Sequence, residues 1–282
     1  TTMKNIARYS EILNNYDEML KVIIADLDRY KKAYAQPRKT SVENAEAAVF
    51  VEKKMEEMEV CFLMDRFGYM KLIDKNAYER NKEAVHNENK YVFNCMNTDK
   101  ICIFTDTGKM HTIKAVDIPL GRFRDKGTPV DNLSNYDSSQ ERMLYVAPVG
   151  QLRSDRLLFV TKTSMCKLVE GAEFDVAKRT IASTKLADED ELIFIGSASE
   201  MEQIVLQSHG GCFLRFLTQE VSTMKKTALG VRGMKLADDD YLEHAYLLAG
   251  HQEYTISYHD KEYALNKVRL AKRDTKGIKP RI

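Results

Sequence analysis

Residues 61–73 read CFLMDRFGYMKLI, which is an apolar strand, a polar turn and a second strand that carries a lysine. The same layout returns in ICIFTDTGKMHTI from Ile101, LLFVTKTSMCKLV from Leu157, IVLQSHGGCFLRF from Ile204 and YTISYHDKEYALN from Tyr254. The turn comes about eight residues into each stretch, at Gly68, Gly108, Ser164, Gly211 and Lys261. Hairpins that recur every 40 to 55 residues or so indicate blades, arrays or solenoids.

A second element follows each of the later hairpins at the same place. It reads TPVDNL at 128–133, IASTKL at 181–186, VRGMKL at 231–236 and GIKPRI at 277–282. One repeat is therefore strand, turn, strand, basic loop, strand, acidic turn, strand. Because a four-stranded sheet with two apolar faces must stack on its neighbours, we predict a mainly β fold of about five propeller-like blades. The first repeat is irregular in its second half, and the fifth stops where its last strand should begin, so we expect an incomplete last blade.

The chain begins with a helical pattern rather than a strand pattern. Residues 1–36 repeat apolar positions at helical spacing, which predicts a helix with one buried face. Asn15 or Asp17 could cap a second helix, and Pro37 ends it. We predict two parts: a helical segment with its connector at 1–46, and the blades at 47–282, with strand periodicity starting at about Ala47.

Composition and cysteine usage exclude several classes of protein. An apolar fraction of 44% with 30% charged residues is ordinary for a globular protein. The sequence has no run of about 18 apolar residues of the kind that indicates a membrane span. The first residues lack the apolar core of a signal peptide. The five cysteines form no C-x-x-C pair, so we interpret them as buried free thiols. The histidines show no metal-ligand spacing either, and we expect no metal.

The net charge of +1 conceals a segregated distribution. Residues 176–187 and 221–236 contain lysines and arginines and no acid, and the tail from Lys261 is strongly basic. The compensating acids lie in Asp188–Glu191, in Asp238–Asp240 and near the N-terminus. Basic loops and acidic turns therefore alternate along each repeat, a pattern that favours contact with a polyanion.

One motif resembles a known family. The stretch Leu229–Asp240, LGVRGMKLADDD, resembles the repeat signature of the C-terminal domain of bacterial type IIA topoisomerase A subunits, which are those of DNA gyrase and topoisomerase IV. The hairpins resemble the other half of that repeat. Residues 12–40, ILNNYDEMLKVIIADLDRYKKAYAQPRKT, resemble the segment in which the chain leaves the breakage–reunion core. The resemblance covers essentially the whole chain in the same order.

The resemblance implies a β-pinwheel, in which blades exchange strands and a basic perimeter binds and bends duplex DNA. Gyrases carry a glycine- and arginine-rich box, Q-R-R-G-G-x-G, in the loop of the first blade. The matching loop here, residues 76–90, lacks the glycines and the arginine pair. This difference favours a function closer to topoisomerase IV than to gyrase-type supercoiling.

The resemblance also implies what this stretch lacks. It would be non-catalytic and hold no cofactor, whereas ATP and Mg would serve the parent enzyme. Its partners would be duplex DNA, two ATPase B subunits and a second A subunit, in the bacterial cytoplasm at the nucleoid. Arg8-Tyr9-Ser10 mimics the family's catalytic R-Y-(T/S), but it lies just before the connector, so we interpret Tyr9 as an ordinary helix residue.

The candidate DNA-binding residues are the cations of the blades, which we expect to meet successive phosphates and release counterions. No pattern for reading bases is present, so backbone contact and bendability should govern binding. They are Lys109, Lys114, Arg122, Arg124, Lys126, Lys167, Lys178, Arg179, Lys185, Arg215, Lys225, Lys226, Arg232, Lys235, Lys267, Arg269, Lys272 and Arg273.

Two other functions fit parts of the pattern. Lysines and arginines on sheet edges also prevent aggregation, so the chain could be a propeller-type protein-interaction scaffold without DNA binding. Binding to random-sequence duplex DNA that weakens with salt would separate the two. An enzyme with a pocket at the centre of the blades is the third option, but acids and histidines do not converge across the repeats.

Overall fold

The computed structural model describes residues 1–40, 56–250 and 253–280. The chain forms two units, Thr1–Lys54 and Met55–Ile282, which are called here the helical unit and the repeat unit. The predicted boundary between residues 46 and 47, and the strand expected from Ala47, lie outside the described residues and stay predictions.

The helical unit contains α1 (Thr2–Asn14) and α2 (Tyr16–Tyr34). Asn15 separates them and caps the second helix, since its side-chain oxygen accepts a hydrogen bond from the amide of Asp17 at 3.0 Å. The predicted cap is confirmed. The prediction of one buried face is wrong for this unit, because neither helix has a fully buried residue.

The described residues of the repeat unit contain seventeen strands. In chain order the first nine are β1 (Glu59–Asp65), β2 (Tyr69–Asp74), β3 (Asn89–Met96), β4 (Lys100–Thr105), β5 (Lys109–Lys114), β6 (Thr128–Pro129), β7 (Met143–Pro148), β8 (Arg156–Thr161) and β9 (Met165–Glu170). The other eight are β10 (Thr180–Ala182), β11 (Leu192–Ser197), β12 (Gln203–Ser208), β13 (Phe213–Leu217), β14 (Val231–Arg232), β15 (Leu242–Leu248), β16 (Thr255–Tyr258) and β17 (Lys261–Ala264).

Short helices connect some of these strands. The α-helices are α3 (Lys75–Arg80), α4 (Lys82–Glu88), α5 (Val130–Leu133) and α6 (Val149–Leu152). A 3-10 turn follows the second strand of hairpins 2 to 5, at Ala115–Asp117, Gly171–Phe174, Thr218–Glu220 and Leu265–Lys267. The irregular stretch at 76–90, expected as a loop, is therefore mostly the helices α3 and α4.

Five sheets, or blades, follow one another along the chain. Their strand orders are β3-β1-β2-β6, β10-β5-β4-β7, β11-β8-β9-β14, β13-β12-β15 and β16-β17. The fold is thus the expected mainly β, propeller-like pinwheel. The described part of blade 5 has only its hairpin.

One strand of each full blade comes from the next repeat. Strand β6 of repeat 2 pairs with β2 of blade 1, β10 pairs with β5 of blade 2, and β14 pairs with β9 of blade 3. In blade 4 an isolated bridge between Phe213 and Ile278 has the same place. The second element of each repeat therefore belongs to the preceding blade. In repeat 2 this strand is Thr128–Pro129, and α5 begins directly after it at Val130.

The core lies between consecutive blades. In β4, Ile101 and Ile103 pack in the cluster that holds Phe62 of blade 1. Cys102 and Phe104 point the other way, into the cluster shared with blade 3. A strand that is buried on both faces needs apolar residues at every position, which explains why the first strand of each hairpin is an unbroken apolar run.

The hairpin turns have the expected left-handed residue. Gly68, Gly108, Ser164 and Gly211 have φ of 82°, 73°, 72° and 79°. In blade 5 the prediction of Lys261 is wrong by one or two residues, because His259 and Asp260 have the positive φ values and Lys261 begins β17. The cysteines are free, and all are buried except the half-buried Cys212.

Candidate nucleic-acid interface

Four loops lead from the 3-10 turns to the exchanged elements, and we call them the edge loops. They cover residues 118–127, 175–179, 221–230 and 268–277. Three of them run beside the second strand of the preceding hairpin, where parallel bridges join Leu72 to Leu120, Leu168 to Thr223 and Arg215 to Leu270. Each edge loop with such a bridge is therefore fixed to a neighbouring blade.

A lysine of the second hairpin strand holds the edge loop in blades 1 and 3: the half-buried Lys71 and the buried Lys167. The ammonium group of Lys167 donates to the carbonyls of Lys226 and Ala228, both at 2.7 Å. Lys71 donates in the same way to the carbonyls of Phe123 and Asp125. Lys167 is 1% exposed, and burial lowers its pKa to about 8. Lys167 thus does not lie on the basic surface, contrary to its selection as a DNA contact; it shapes the loop beneath that surface.

Three more of the candidate cations face the protein. The guanidinium of Arg215 donates to the carbonyl of Asn266 at 2.7 Å. Lys226 donates to the carbonyl of Glu173 at 2.9 Å. Arg273 donates to the carbonyls of Glu220 and Arg232. All three are half-buried, so they organise the loops and offer only part of their charge to solvent.

The other fourteen candidates are exposed. Three of them pair with acids: Lys109 with Glu141 at 3.0 Å, Lys225 with Glu173 at 3.4 Å and Arg232 with Asp274. The rest make no salt bridge within 4.0 Å to any described residue. They are Lys114, Arg122, Arg124, Lys126, Lys178, Arg179, Lys185, Lys235, Lys267, Arg269 and Lys272.

The acidic turns bind the hairpin turns instead of the edge loops. Asp190 accepts from the amide and the hydroxyl of Thr163, at 3.1 and 2.6 Å. Asp240 accepts from the amide of Gly210 at 2.9 Å. These carboxylates are engaged at one end of the blades, which explains how a nearly neutral chain can present basic loops.

A buried polar network in blade 2 was missed by the sequence reasoning, which considered histidine only as a metal ligand. His111 bonds Glu141 Oε2 at 3.0 Å through Nε2 and the hydroxyl of Thr180 at 3.1 Å through Nδ1. Thr107 and Lys109 also donate to the Glu141 carboxylate. Thr180 belongs to the exchanged strand β10, so the network joins hairpin 2 to repeat 3.

The helices α3 and α4 stand where the resemblance places the glycine- and arginine-rich box. Val85 packs on Cys61, Leu63 and Ile73 of blade 1. Their charges balance, with Lys75, Arg80 and Lys82 against Glu79, Glu83 and Glu88. The signal for α3 was Asp74, which caps the helix by accepting from the amide of Ala77 at 2.8 Å.

Other kinds of site receive no support from the described residues. Within them, no three His, Cys, Asp or Glu side chains lie close enough to hold a metal ion. None of the helices that the structure describes could cross a membrane. Tyr9 lies exposed on α1.

Comparison with known proteins gives one consistent family. Residues 99–138, 155–199 and 202–249 match the family described as DNA gyrase C-terminal domain, beta-propeller. The chain is 28% identical to the DNA gyrase A subunit of Clostridium acetobutylicum over 242 residues, covering 82% of this chain and 29% of the relative. It is 27% identical to the DNA topoisomerase 4 A subunit of Bacillus subtilis, covering 85% of this chain and 31% of the relative.

A solved structure has the same fold. The C-terminal domain of DNA topoisomerase IV superposes with a TM-score of 0.69 at 22% identity, covering 79% of this chain and 72% of that one. The chain itself spans about a third of the length of the curated relatives that it matches.

Proposed function

We propose that the chain, whose repeats match the family of DNA gyrase C-terminal beta-propeller domains, is the DNA-binding part of a type IIA topoisomerase A subunit. It captures and bends the duplex segment that the enzyme passes through a double-strand break. The exposed cations of the edge loops are the observation that carries this proposal.

Three structural features support contact with duplex DNA. The edge loops recur from blade to blade, so their cations are spaced along the direction in which the blades follow one another. Lys71 and Lys167 fix two of the loops through bonds to loop carbonyls, which lowers the entropy lost when a phosphate binds. Asp190 and Asp240 of the acidic turns are engaged with the hairpin turns. Such a surface contacts phosphates and reads no bases.

We further propose that the domain bends DNA as a topoisomerase IV does and does not wrap it as gyrase does. The support is the pair α3–α4, whose balanced charges offer no cationic, glycine-rich loop at blade 1. DNA contact would therefore come from the edge loops of blades 1 to 4.

The chain by itself is proposed to be non-catalytic and to need no cofactor. Cleavage would belong to the remainder of the A subunit, and ATP hydrolysis to a B subunit with Mg. The complex would contain two B subunits and a second A subunit, and it would act in the bacterial cytoplasm on the nucleoid.

A gel-shift titration tests DNA binding. We expect a random-sequence duplex to bind at micromolar protein or better in low salt. If roughly 6–10 phosphates are neutralised, affinity should fall about 10³–10⁵-fold between 50 and 200 mM salt. Absence of a complex at micromolar protein and low salt would contradict the proposal and favour the protein-interaction scaffold.

A matched pair of variants locates the contact. The triple variant Arg122→Gln, Arg124→Gln, Lys126→Gln removes three exposed cations from one edge loop. The slope of log affinity against log salt should become shallower by up to about 2.7. Lys75→Gln removes an exposed cation from α3, where it pairs with Glu59 at 2.7 Å, and should leave the slope unchanged. An effect of Lys75→Gln about one third as large as that of the triple variant would mean that binding follows net charge only.

A further inference from the structure

The exchanged strand β10 leaves an open edge on blade 2. The amide of Thr112 donates to the carbonyl of Arg179, and the amide of Ser183 donates to the carbonyl of Gly108, both at 2.8 Å. In an antiparallel pair, bonded and non-bonded positions alternate. The amides and carbonyls of Thr180 and Ala182 therefore point away from β5, and no described protein group bonds them.

The equivalent edge on blade 3 is closed. The sequences IASTKL and VRGMKL place Ala182 at the position of Arg232. In blade 3 the guanidinium of Arg273 donates to the outward carbonyl of Arg232, and Asp274 pairs with the Arg232 side chain. Backbone of the next edge loop reaches both elements, since the amide of Lys235 donates to the carbonyl of Thr275 at 2.9 Å and that of Lys185 donates to the carbonyl of Lys226 at 3.1 Å. The difference between the two edges therefore lies in the side chains at Arg232, Arg273 and Asp274.

Three residue differences explain why blade 2 stays open. Ala182 has no side chain that could recruit an acid. When the edge loops 224–230 and 271–277 are aligned on their final glycines, Thr227 replaces Asp274 and Lys226 replaces Arg273. Lys226 is turned towards the carbonyl of Glu173 and cannot cap the edge.

The open edge forms one wall of a groove of about 540 Å³. Ile181 and Ala182 give the groove an apolar wall, and Lys178, Lys185 and Lys226 surround it without any acid in the lining. Free backbone groups, an apolar contact and the exposed ammonium groups of Lys178 and Lys185 thus meet in one place.

We propose that this groove binds an extended acidic segment of a partner protein, which adds a strand to blade 2 along β10. Main-chain hydrogen bonds to Thr180 and Ala182 supply the pairing, as in other cases of strand addition to an open sheet edge. Alternate side chains of the segment meet Ile181, and its carboxylates meet the lysines. This function goes beyond DNA binding and does not depend on it.

A DNA backbone uses these features less well. It has no alternating amide and carbonyl groups to pair with β10, and the apolar wall contributes nothing to a phosphate. Lys235, which has the same place on blade 3 as Lys185, would serve a phosphate equally well beside a closed edge. Replacing Lys185 or Lys235 therefore distinguishes a peptide, which needs the open edge beside Lys185, from DNA, which would use both lysines alike.

Fluorescence anisotropy with two labelled peptides tests the proposal on the whole chain. The first peptide has eight residues that alternate Glu and Val, and the second is the same peptide with every other amide N-methylated. We expect the first to bind and the second to bind at least tenfold more weakly, since N-methylation removes the donors of one strand edge. Lys185→Gln should weaken the first peptide severalfold, whereas the matched Lys235→Gln should not.

A double variant copies the closed edge of blade 3 onto blade 2. Ala182→Arg with Thr227→Asp should reduce peptide affinity at least tenfold. If this variant does not fold by circular dichroism, Ala182→Pro replaces it, because proline on an edge strand removes only the outward amide. Equal binding of the two peptides, or no loss in the folded edge variant, would overturn the proposal and leave charge attraction as the explanation.

Duplex DNA measured in the same buffer keeps the two functions apart. If DNA fails to bind while the peptide responds to the edge variants, only the proposed DNA function is wrong. If DNA binds, and Lys185→Gln and Lys235→Gln weaken it alike while no peptide binds, only the strand-addition proposal is wrong.

Discussion

At the scale of single residues, small side chains decide where one repeat can cross to the next blade. Gly230 precedes the exchanged strand β14 with φ of +106°, and a Cβ there would lie 2.7 Å from the carbonyl oxygen of Cys166. Gly127 and Gly277 have the corresponding places in their repeats and also have positive φ. A Cβ at these positions would lie 2.5 and 2.8 Å from a backbone carbonyl oxygen. Only glycine fits such a close approach of two backbones.

Replacement of Gly230 by alanine should therefore destabilise the repeat unit. We expect a loss of about 2 kcal/mol or more, because a left-handed residue with a Cβ costs roughly 1–2 kcal/mol before any clash. Urea unfolding followed by circular dichroism measures the change.

Gly150→Ala is the matched control. Gly150 lies on α6, and a Cβ there would meet nothing nearer than 3.5 Å. Its stability should stay within about 0.5 kcal/mol of the parent, as is usual for surface changes. Equal losses at both positions would contradict the role assigned to Gly230.

At the scale of elements, one polar side chain on the second hairpin strand positions the part of the next repeat that crosses to its blade. Lys71 and Lys167 hold edge loops of ten residues, 118–127 and 221–230. In blade 2 the edge loop, 175–179, has only five residues. His111 is the third residue after its hairpin turn, as the two lysines are after theirs, and it bonds Thr180 on the exchanged strand instead. The partner of His111 is Glu141, so this joint contains a buried acid.

The Glu141 joint makes stability depend on pH. Burial raises the pKa of Glu141, but hydrogen bonds from His111 and Lys109 outweigh it and lower the pKa from 4.5 to about 2. A carboxylate with a depressed pKa stabilises the fold above its unfolded pKa, and this contribution is lost as pH falls from about 4.5 towards 2. The shift corresponds to about 3 kcal/mol.

At pH 7 the variant Glu141→Gln should be less stable than the parent. Between pH 5 and pH 3 its free energy of unfolding should fall less than that of the parent. Urea titrations at several pH values measure both effects. Asp239→Asn, an exposed change in the acidic turn of repeat 4, should keep the pH dependence of the parent. An unaltered pH dependence in Glu141→Gln would show that this carboxylate does not supply it.

At the scale of the repeat unit, charge is sorted between the two kinds of loop. The edge loops carry seven of the eleven unpaired candidate cations, and the acidic turns are bonded to hairpin turns. The pair α3–α4 adds no net charge at blade 1. In the proposed function, such a surface would bend a duplex by attraction to successive phosphates, and without a cationic box it would not complete a wrap.

Plasmid topology distinguishes bending from wrapping. When the chain is bound to a relaxed plasmid and a type I topoisomerase is added, we expect little change in linking number. The control is a gyrase C-terminal domain that carries the box, which should shift the distribution of topoisomers. A comparable shift with this chain would contradict the topoisomerase IV-like proposal.

Much of the fold could be predicted from local patterns. Apolar runs with a left-handed turn residue predicted each hairpin, and Asn15 predicted the break between the first two helices. The DNA-binding set was less predictable, because sequence does not show which way a cation on a strand points. Lys167 and Lys109 both follow a hairpin turn, yet one is buried under a loop and the other is exposed beside Glu141.

The sequence by itself determined the hairpins, their number and the alternation of basic and acidic loops, since these depend on residues close together in the chain. Tertiary structure decided the rest, because it depends on contacts between repeats. Only the fold shows that the second element of each repeat completes the preceding blade and that Lys167 supports the basic surface from below. It also shows that Ala182 leaves an open edge where Arg232 closes one.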